Sequence, residues 1–310
     1  MQITKRFEAA EKVLSRLGTL HSVSGQDERE SVVRGIIEDV RRRGDAALLE
    51  YTAKFDHARL TALEVSQARV KKACQKVDPE VVSALKLAAD RIAVFHKAQR
   101  KAIRSKVNLP GLSQLIRPLE RVGVYVPGGT ASYPSTVLMT AIPARVAGVK
   151  EIILVTPPQA DGKISPLTLA AADIAGVDRV FAVGGAQAIA ALAFGTESIP
   201  RVDKICGPGN IFVTLAKKLV YGIVGIDGLA GPSEVLRIAD DSADPAACAA
   251  DLLAQAEHDS MASAVLVTTS RALADRVKRE IVKQLKDLPR KETVAKSLES
   301  QGVIVVVSGM

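Results

Sequence analysis

The sequence predicts an α/β protein built on parallel sheets, and two observations support this prediction. After about residue 115, short apolar runs alternate with helical patterns, an order typical of parallel strands joined by right-handed crossovers. Aromatic residues make up 3% of the chain and tryptophan is absent, so the core must consist mainly of alanine, valine, leucine and isoleucine. Such a composition suits buried parallel strands and the helices that cover them.

The segment before residue 115 has helical patterns. The longest pattern begins with Asp78 as N-cap and Pro79 at the first helical position, and Gly44 ends an earlier one. A turn over residues 108–111 closes this helical segment. Helices are expected over residues 1–20, 28–43, 45–55 and 79–101.

The length of the whole chain bears on the number of domains, and the later segment contains the expected strands. A chain of 310 residues allows two domains, because single cores rarely grow beyond ~250 to 300 residues. We expect a helical arm over residues 1–22, a discontinuous first domain over 23–121 plus 235–310, and an inserted second domain over 122–234. Strands are expected over residues 122–126, 151–156, 180–183, 204–206, 224–227, 235–239, 264–268 and 303–307.

Four of the expected strands end in turns that contain glycine, over residues 127–129, 184–185, 207–209 and 228–231. Glycine at the carboxyl end of a parallel strand lets the backbone approach a ligand, and the next helix points its free N–H groups at the same place. None of the turns reads G-x-G-x-x-G, and tight βα turns alone would also explain the glycines. Gln187 and Asn210 follow two of the turns and carry amides that can bind a ligand, although Asn210 can equally be a helix N-cap. The pattern indicates one crevice at the strand ends.

The charge balance bears on possible partners. The chain has 42 basic and 34 acidic residues, which gives a net charge of +8. The basic residues alternate with acidic ones on helical faces, and aromatic residues are not interleaved with them as a base-stacking surface requires. We therefore expect no nucleic-acid partner, and the positive charge suits the pyrophosphate of a dinucleotide equally well.

Cysteine usage and apolar runs bear on the compartment. The chain has three cysteines, widely spaced and without a C-x-x-C pair, so neither a disulfide framework nor a cysteine zinc site is indicated. The first residues lack the apolar core of a signal peptide, and nowhere do 18 apolar residues run together. We expect a cytoplasmic protein that does not span a membrane.

One helical face carries three side chains that can bind a metal. Asp251, Gln255 and His258 stand at i, i+4 and i+7 of a predicted helix, so they project from the same side. A carboxylate, an amide oxygen and an imidazole can share a zinc ion, although glutamine is an uncommon ligand. A solvated polar face is the alternative explanation of the same spacing.

Long ordered segments of the chain resemble the histidinol dehydrogenase family. The resemblance extends from about Glu28 to the last residue, and its segments are PGGTASYPSTVLM, VGGAQAIAALAFGTESIPRVDKICGPGN, AGPSEVL and DLLAQAEH. It implies two incomplete Rossmann-like domains with a cleft between them. It also implies the oxidation of L-histidinol to L-histidine in two NAD-dependent steps through an aldehyde that is not released, with a zinc ion holding the substrate. A homodimer is expected.

The resemblance also implies roles for individual residues. Gln255 and His258 match ligands of zinc and substrate, whereas no such role extends to Asp251. Ser233 matches a residue that contacts the substrate. Residues that contact NAD are matched by Tyr125, Gln187 and Asn210.

The catalytic residues that the resemblance implies are not found in this sequence. The family's glutamate-histidine pair, which performs the acid–base work, belongs to segments that would come after Met310, as do two further metal ligands. The expected chain therefore keeps the nucleotide site, has two of four zinc ligands and oxidises histidinol poorly by itself. The alternative is a non-catalytic module, derived from the same family, that binds a dinucleotide or another small ligand.

Overall fold

The structure, a computed structural model, describes residues 2–4, 26–103, 106–128, 132–229 and 234–309. It forms two compact units. The six-stranded unit comprises Asp27–Gly231, and the four-stranded unit comprises Met1–Gln26 with Pro232–Met310.

Strands of both units follow the predicted order closely from residue 121 onward. They are β1 (Gln2–Thr4), β2 (Glu64–Val65), β3 (Lys106–Leu109), β4 (Leu112–Leu115), β5 (Arg121–Tyr125), β6 (Glu151–Thr156), β7 (Arg179–Ala182), β8 (Lys204–Cys206), β9 (Gly225–Ile226), β10 (Glu234–Ala239), β11 (Ser263–Thr268) and β12 (Gly302–Val306).

Helices connect most of these strands. They are α1 (Gln26–Arg43), α2 (Asp45–Phe55), α3 (Gln67–Lys71), α4 (Pro79–Ala102), α5 (Pro134–Ala147), α6 (Pro166–Ile174), α7 (Gly185–Phe194), α8 (Ile211–Val220), α9 (Pro245–His258), α10 (Arg271–Gln284) and α11 (Lys291–Gln301). Asp78 caps α4 as predicted, because its carboxylate accepts from the Glu80 N–H at 2.8 Å. No described helix is long and apolar enough to cross a lipid bilayer.

The six-stranded unit is wound outward from β5. Its sheet has the order β2-β7-β6-β5-β8-β9, and every pair is parallel except that of β2 with β7. The chain builds from β5 to β7 on one side and then crosses to β8 and β9 on the other. The strand order therefore reverses between β5 and β8, and the carboxyl ends of these two strands are where open α/β sheets bind ligands.

Helices cover both faces of this sheet, because successive residues of its strands point to opposite sides. On β6, Ile153 and Val155 pack into a core with α1, α2, α7 and α8. The alternate residues Ile152 and Leu154 pack into a second core with α3, α4, α5 and α6. The prediction of an α/β fold with parallel sheets is confirmed.

The domain division differs from the predicted one at its N-terminal boundary. Residues 27–121, which we expected to join 235–310, belong to the same unit as 122–231. The reason is that β2 pairs with β7 and that Leu85 and Ala89 of α4 pack with Val124. The predicted helix over residues 1–20 also differs, since Gln2–Thr4 pairs as a parallel strand with β12. The rest of that segment lies outside the described residues.

The four-stranded unit has a parallel sheet of order β1-β12-β11-β10. Helices α9, α10 and α11 cover one face, where Leu252, Leu266 and Ile304 are fully buried. On the other face, Leu236 and Ile238 of β10 are 60% and 61% exposed. Val265, Val303 and Val305 on that face are buried, so the exposure concerns the edge strand β10.

Candidate functional site

Tyr125 lies at the carboxyl end of β5, beside the point where the strand order of the six-stranded unit reverses. Its side chain is buried, and its hydroxyl oxygen accepts from the Gly185 N–H at 3.2 Å. Burial raises the pKa of Tyr125 to about 12, against the lowering effect of the Gly185 hydrogen bond, and the charge of Asp56 raises it further. The hydroxyl therefore stays protonated at neutral pH and keeps a proton to donate.

Helix α7 begins at Gly185, whose N–H donates to this hydroxyl, and it carries Gln187 in its first turn. Gly185 has φ 64°, and a Cβ there would lie 2.6 Å from Gln187 Oε1. The backbone of Gly185 and the side-chain oxygen of Gln187 are therefore in close contact. Gln187 is 1% exposed, and its Oε1 has no hydrogen-bond partner among the described residues. A buried amide oxygen without a partner costs about 1 to 3 kcal/mol, which a ligand that donates a hydrogen bond would recover.

Asn210 lies in the turn after β8. Gly207 opens this turn with φ 118°, and a Cβ there would lie 2.0 Å from the carbonyl oxygen of Tyr125, so only glycine fits. Asn210 Oδ1 accepts from the N–H groups of Phe212 and Val213, both at 3.1 Å, which makes Asn210 the N-cap of α8. The cap leaves the Nδ2 group of this exposed side chain as a donor.

An ion pair with a buried lysine holds the same turn, and sequence reasoning missed it. Lys217 of α8 is 2% exposed, and its ammonium group donates to the Gly207 carbonyl at 3.0 Å and to the Asp227 carboxylate. Asp227 also accepts from the Gly207 N–H at 2.7 Å. The phase of α8 is the signal that finds it, because Lys217 falls on the same stripe as Val213 and Val220.

Gln255 and His258 lie in the last two turns of α9, in the four-stranded unit. Asp251, on the same face, accepts from the Arg237 guanidinium of β10 and is therefore engaged in an ion pair. Gln255 is half-buried and already makes an interaction, whereas His258 is exposed at the helix end. Within the ranges that the structure describes, no group of three His, Cys, Asp or Glu side chains could hold a metal ion.

The structure brings the predicted residues together in two sets. Tyr125 and Gln187 are joined through Gly185, and the turn that carries Asn210 packs on Tyr125 through Gly207. Gln255 and His258 share α9. Ser233 lies outside the described residues.

Comparisons with known proteins agree on one family. The family model "Histidinol dehydrogenase" matches residues 21–310. The chain is 56% identical over 321 residues to histidinol dehydrogenase of Dehalococcoides mccartyi strain CBDB1, an alignment that covers 100% of this chain and 74% of the relative. The chain belongs to the histidinol dehydrogenase family.

Further relatives support the same assignment. The identity to histidinol dehydrogenase of Listeria monocytogenes is 53% over 281 residues, which cover 90% of this chain and 66% of the relative. The crystal structure of histidinol dehydrogenase from Elizabethkingia anophelis superposes with a TM-score of 0.87 at 38% identity, and the match covers 100% of this chain and 71% of that one. The predicted family resemblance is confirmed, and it places the chain among oxidoreductases of histidine biosynthesis.

Proposed function

We propose that this chain serves the NAD-dependent oxidation of L-histidinol to L-histidine through histidinaldehyde. One observation carries the proposal beyond family membership: the buried, unpartnered Gln187 Oε1 beside the Tyr125 hydroxyl. Both groups lie near the carboxyl ends of parallel strands, next to the reversal of strand order.

These residues fit a dinucleotide. Gln187 Oε1 would accept from a ribose hydroxyl, the Tyr125 hydroxyl would donate, and Asn210 Nδ2 would donate to a phosphate or ribose oxygen. The first turn of α7 has N–H groups without intrahelical acceptors, and such groups favour phosphate. NAD, when bound, supplies the hydride acceptor.

Gln255 and His258 would bind zinc in the four-stranded unit, and Ser233 would contact the substrate. An imidazole is a common zinc ligand, and the carbonyl groups at the end of α9 favour a cation there. Two donors leave the site short of the four that a closed zinc site uses, so these residues fit the metal in part and no step of the reaction is assigned to it.

A polypeptide of these 310 residues is expected to oxidise histidinol slowly by itself. The glutamate-histidine pair of the family finds no match in the sequence, and such general acid–base groups contribute roughly 10²- to 10⁴-fold each. The proposal includes a cytoplasmic homodimer acting on a small-molecule substrate, without nucleic acid or membrane as partner.

Binding of NAD tests the proposal, and Asn210 offers matched variants. Asn210→Ala removes both the cap and the amide donor, whereas Asn210→Ser keeps a cap and removes only the donor. We expect calorimetric titration to show NAD binding that weakens in both variants, with NADH formation from histidinol near background at neutral pH.

Three other outcomes are informative. Absence of NAD binding to the unmodified chain would contradict the proposal. Weakening in Asn210→Ala alone would reduce Asn210 to a structural cap. Rapid NADH formation would show that an acid–base residue is present among these 310.

A further inference from the structure

Three buried side-chain oxygens lack a hydrogen-bond partner among the described residues, and all belong to the six-stranded unit. They are Thr52 Oγ1, Asp56 Oδ2 and Gln187 Oε1. Thr52 is fully buried and Gln187 is 1% exposed. Gln187 is part of the proposed nucleotide site, whereas that site as proposed above includes neither Thr52 nor Asp56.

The packing of α2 against α7 brings these oxygens to one end of the helix pair. Asp45, the first residue of α2, accepts from the Ser198 hydroxyl at 3.0 Å, and Ser198 lies beyond the last residue of α7. The two helices therefore run antiparallel, and the last turn of α2 lies beside the first turn of α7. Thr52 of α2 and Asp56, the C-cap residue that follows α2, are four residues apart and lie on the same side of the helix end.

The electrostatic interaction of Asp56 with Tyr125 also indicates that Asp56 lies near Gln187. The charge of Asp56 acts on the Tyr125 hydroxyl, which accepts from the Gly185 N–H, and Gly185 packs against Gln187 Oε1. Burial raises the pKa of Asp56 to about 6, with the charge of His57 opposing the shift. At pH 8 the carboxyl is thus a partly buried anion whose Oδ2 has no hydrogen-bond partner among the described residues.

The chemistry of the oxygens selects the ligand. A carboxylate and an amide oxygen only accept hydrogen bonds, and the threonine hydroxyl can donate or accept. A ligand that satisfies them must present adjacent donors, as the two hydroxyls of a ribose do. A phosphate at the same place would be repelled by the negative charge of Asp56. At short range this repulsion costs far more free energy inside a protein than in water.

We propose that Asp56, with Thr52, binds the hydroxyls of the adenosine ribose and thereby selects NAD over NADP, whose 2′-phosphate would face the carboxylate. The inference rests on the proposed function and deepens it. Asp56 is a binding residue in this proposal, with no part in the transfer of the hydride.

Titrations of NAD and NADP at pH 8 test the proposal in the full chain. Asp56→Asn should weaken NAD binding about 10-fold and reduce the preference for NAD over NADP by about 10-fold or more. Thr52→Val, which keeps shape and burial, should weaken NAD binding a few-fold. Asp90→Asn, at an exposed position on α4, is the control and should change neither affinity.

Thermal melting of each variant excludes misfolding, since a loss of NAD affinity in a variant that melts as high as the unmodified chain reflects lost contacts. An unchanged ratio of NAD to NADP affinity in Asp56→Asn would overturn the proposal, and so would unchanged NAD binding. If the Asn210 variants lose NAD affinity and Asp56→Asn does not, only the ribose assignment fails. If the unmodified chain binds no NAD, the proposed function and this inference fail together.

Discussion

The central strand of the six-stranded sheet and the edge strand β10 of the four-stranded sheet use apolar residues in opposite ways. In β6, all residues after the first are buried, because helices cover both faces. In β10, Leu236 and Ile238 are exposed, while Arg237 between them reaches Asp251 on the helix-covered side. On the other face the neighbouring Val265 of β11 and Val303 of β12 are buried, so an apolar residue is a better sign of burial within a sheet than at its edge.

The largest test of this difference compares two leucines. Leu154→Ala in β6 should reduce the free energy of unfolding of the six-stranded unit by about 2 to 5 kcal/mol, because it leaves a cavity between two layers. Leu236→Ala in β10 should change that of the four-stranded unit by less than about 0.5 kcal/mol, since the side chain is already in solvent. Urea denaturation followed by hydrogen exchange resolves the two units. Similar losses in both variants would mean that the exposed face of β10 is covered in solution.

The second test compares two ion pairs. Asp227→Ala should destabilise the six-stranded unit by about 3 kcal/mol, because it leaves the buried Lys217 ammonium without its charged partner. Arg237→Met should cost less than about 1 kcal/mol, since both Arg237 and Asp251 are nearly half-exposed. Denaturation of the two variants measures the difference. Adding Lys217→Met to Asp227→Ala should recover part of the loss, and a further loss in that double variant would contradict the assignment.

The sequence was sufficient to predict the sheets but not the membership of the N-terminal helices. Strand positions followed from continuous apolar runs, and turns such as that at Gly207 followed from glycine. The two-residue strand β2 has no such run, yet its pairing with β7 assigns the N-terminal segment to the six-stranded unit. Local patterns carry no information about a contact between segments so distant in the chain.

For the candidate site, too, the sequence was sufficient to predict some residues but not others. The sequence predicted Tyr125, Gln187 and Asn210 as site residues because they stand next to glycine turns. Lys217 and Lys218 are identical neighbours, of which only the first is buried, so residue type alone could not separate them. Asp56 follows a helix as many surface aspartates do, and only its buried Oδ2, which has no hydrogen-bond partner among the described residues, distinguishes it.

A third test concerns the metal, which we propose for the four-stranded unit alone. Zinc should be retained weakly and be lost on dialysis against a mild chelator, because two ligands leave the remaining positions of the ion to water. His258→Ala should lower zinc affinity by about 10-fold or more. Asp251→Asn is the matched control and should leave zinc affinity unchanged, since the Asp251 carboxylate is engaged by Arg237. Stoichiometric zinc after dialysis would mean that other residues complete the site.

The smallest expected effect lies in the pH dependence of stability, and it concerns Asp56. Its pKa is about 6 in the folded chain and about 4 when unfolded, so the folded state holds the proton more tightly between these values. The stability that the protonated carboxyl contributes is complete below pH 4 and is lost as the pH rises through 6. Asp56→Asn does not ionise and avoids this loss. Its advantage over the unmodified chain should therefore grow from pH 4 to pH 7 and then level off at about 1 kcal/mol, a value reduced for solvent screening of a partly exposed group. Thermal melting across that range measures the growth, which Asp90→Asn should not show. An advantage that stays constant with pH would mean that the Asp56 carboxyl is solvated in the folded chain, and the ribose assignment would lose its physical basis.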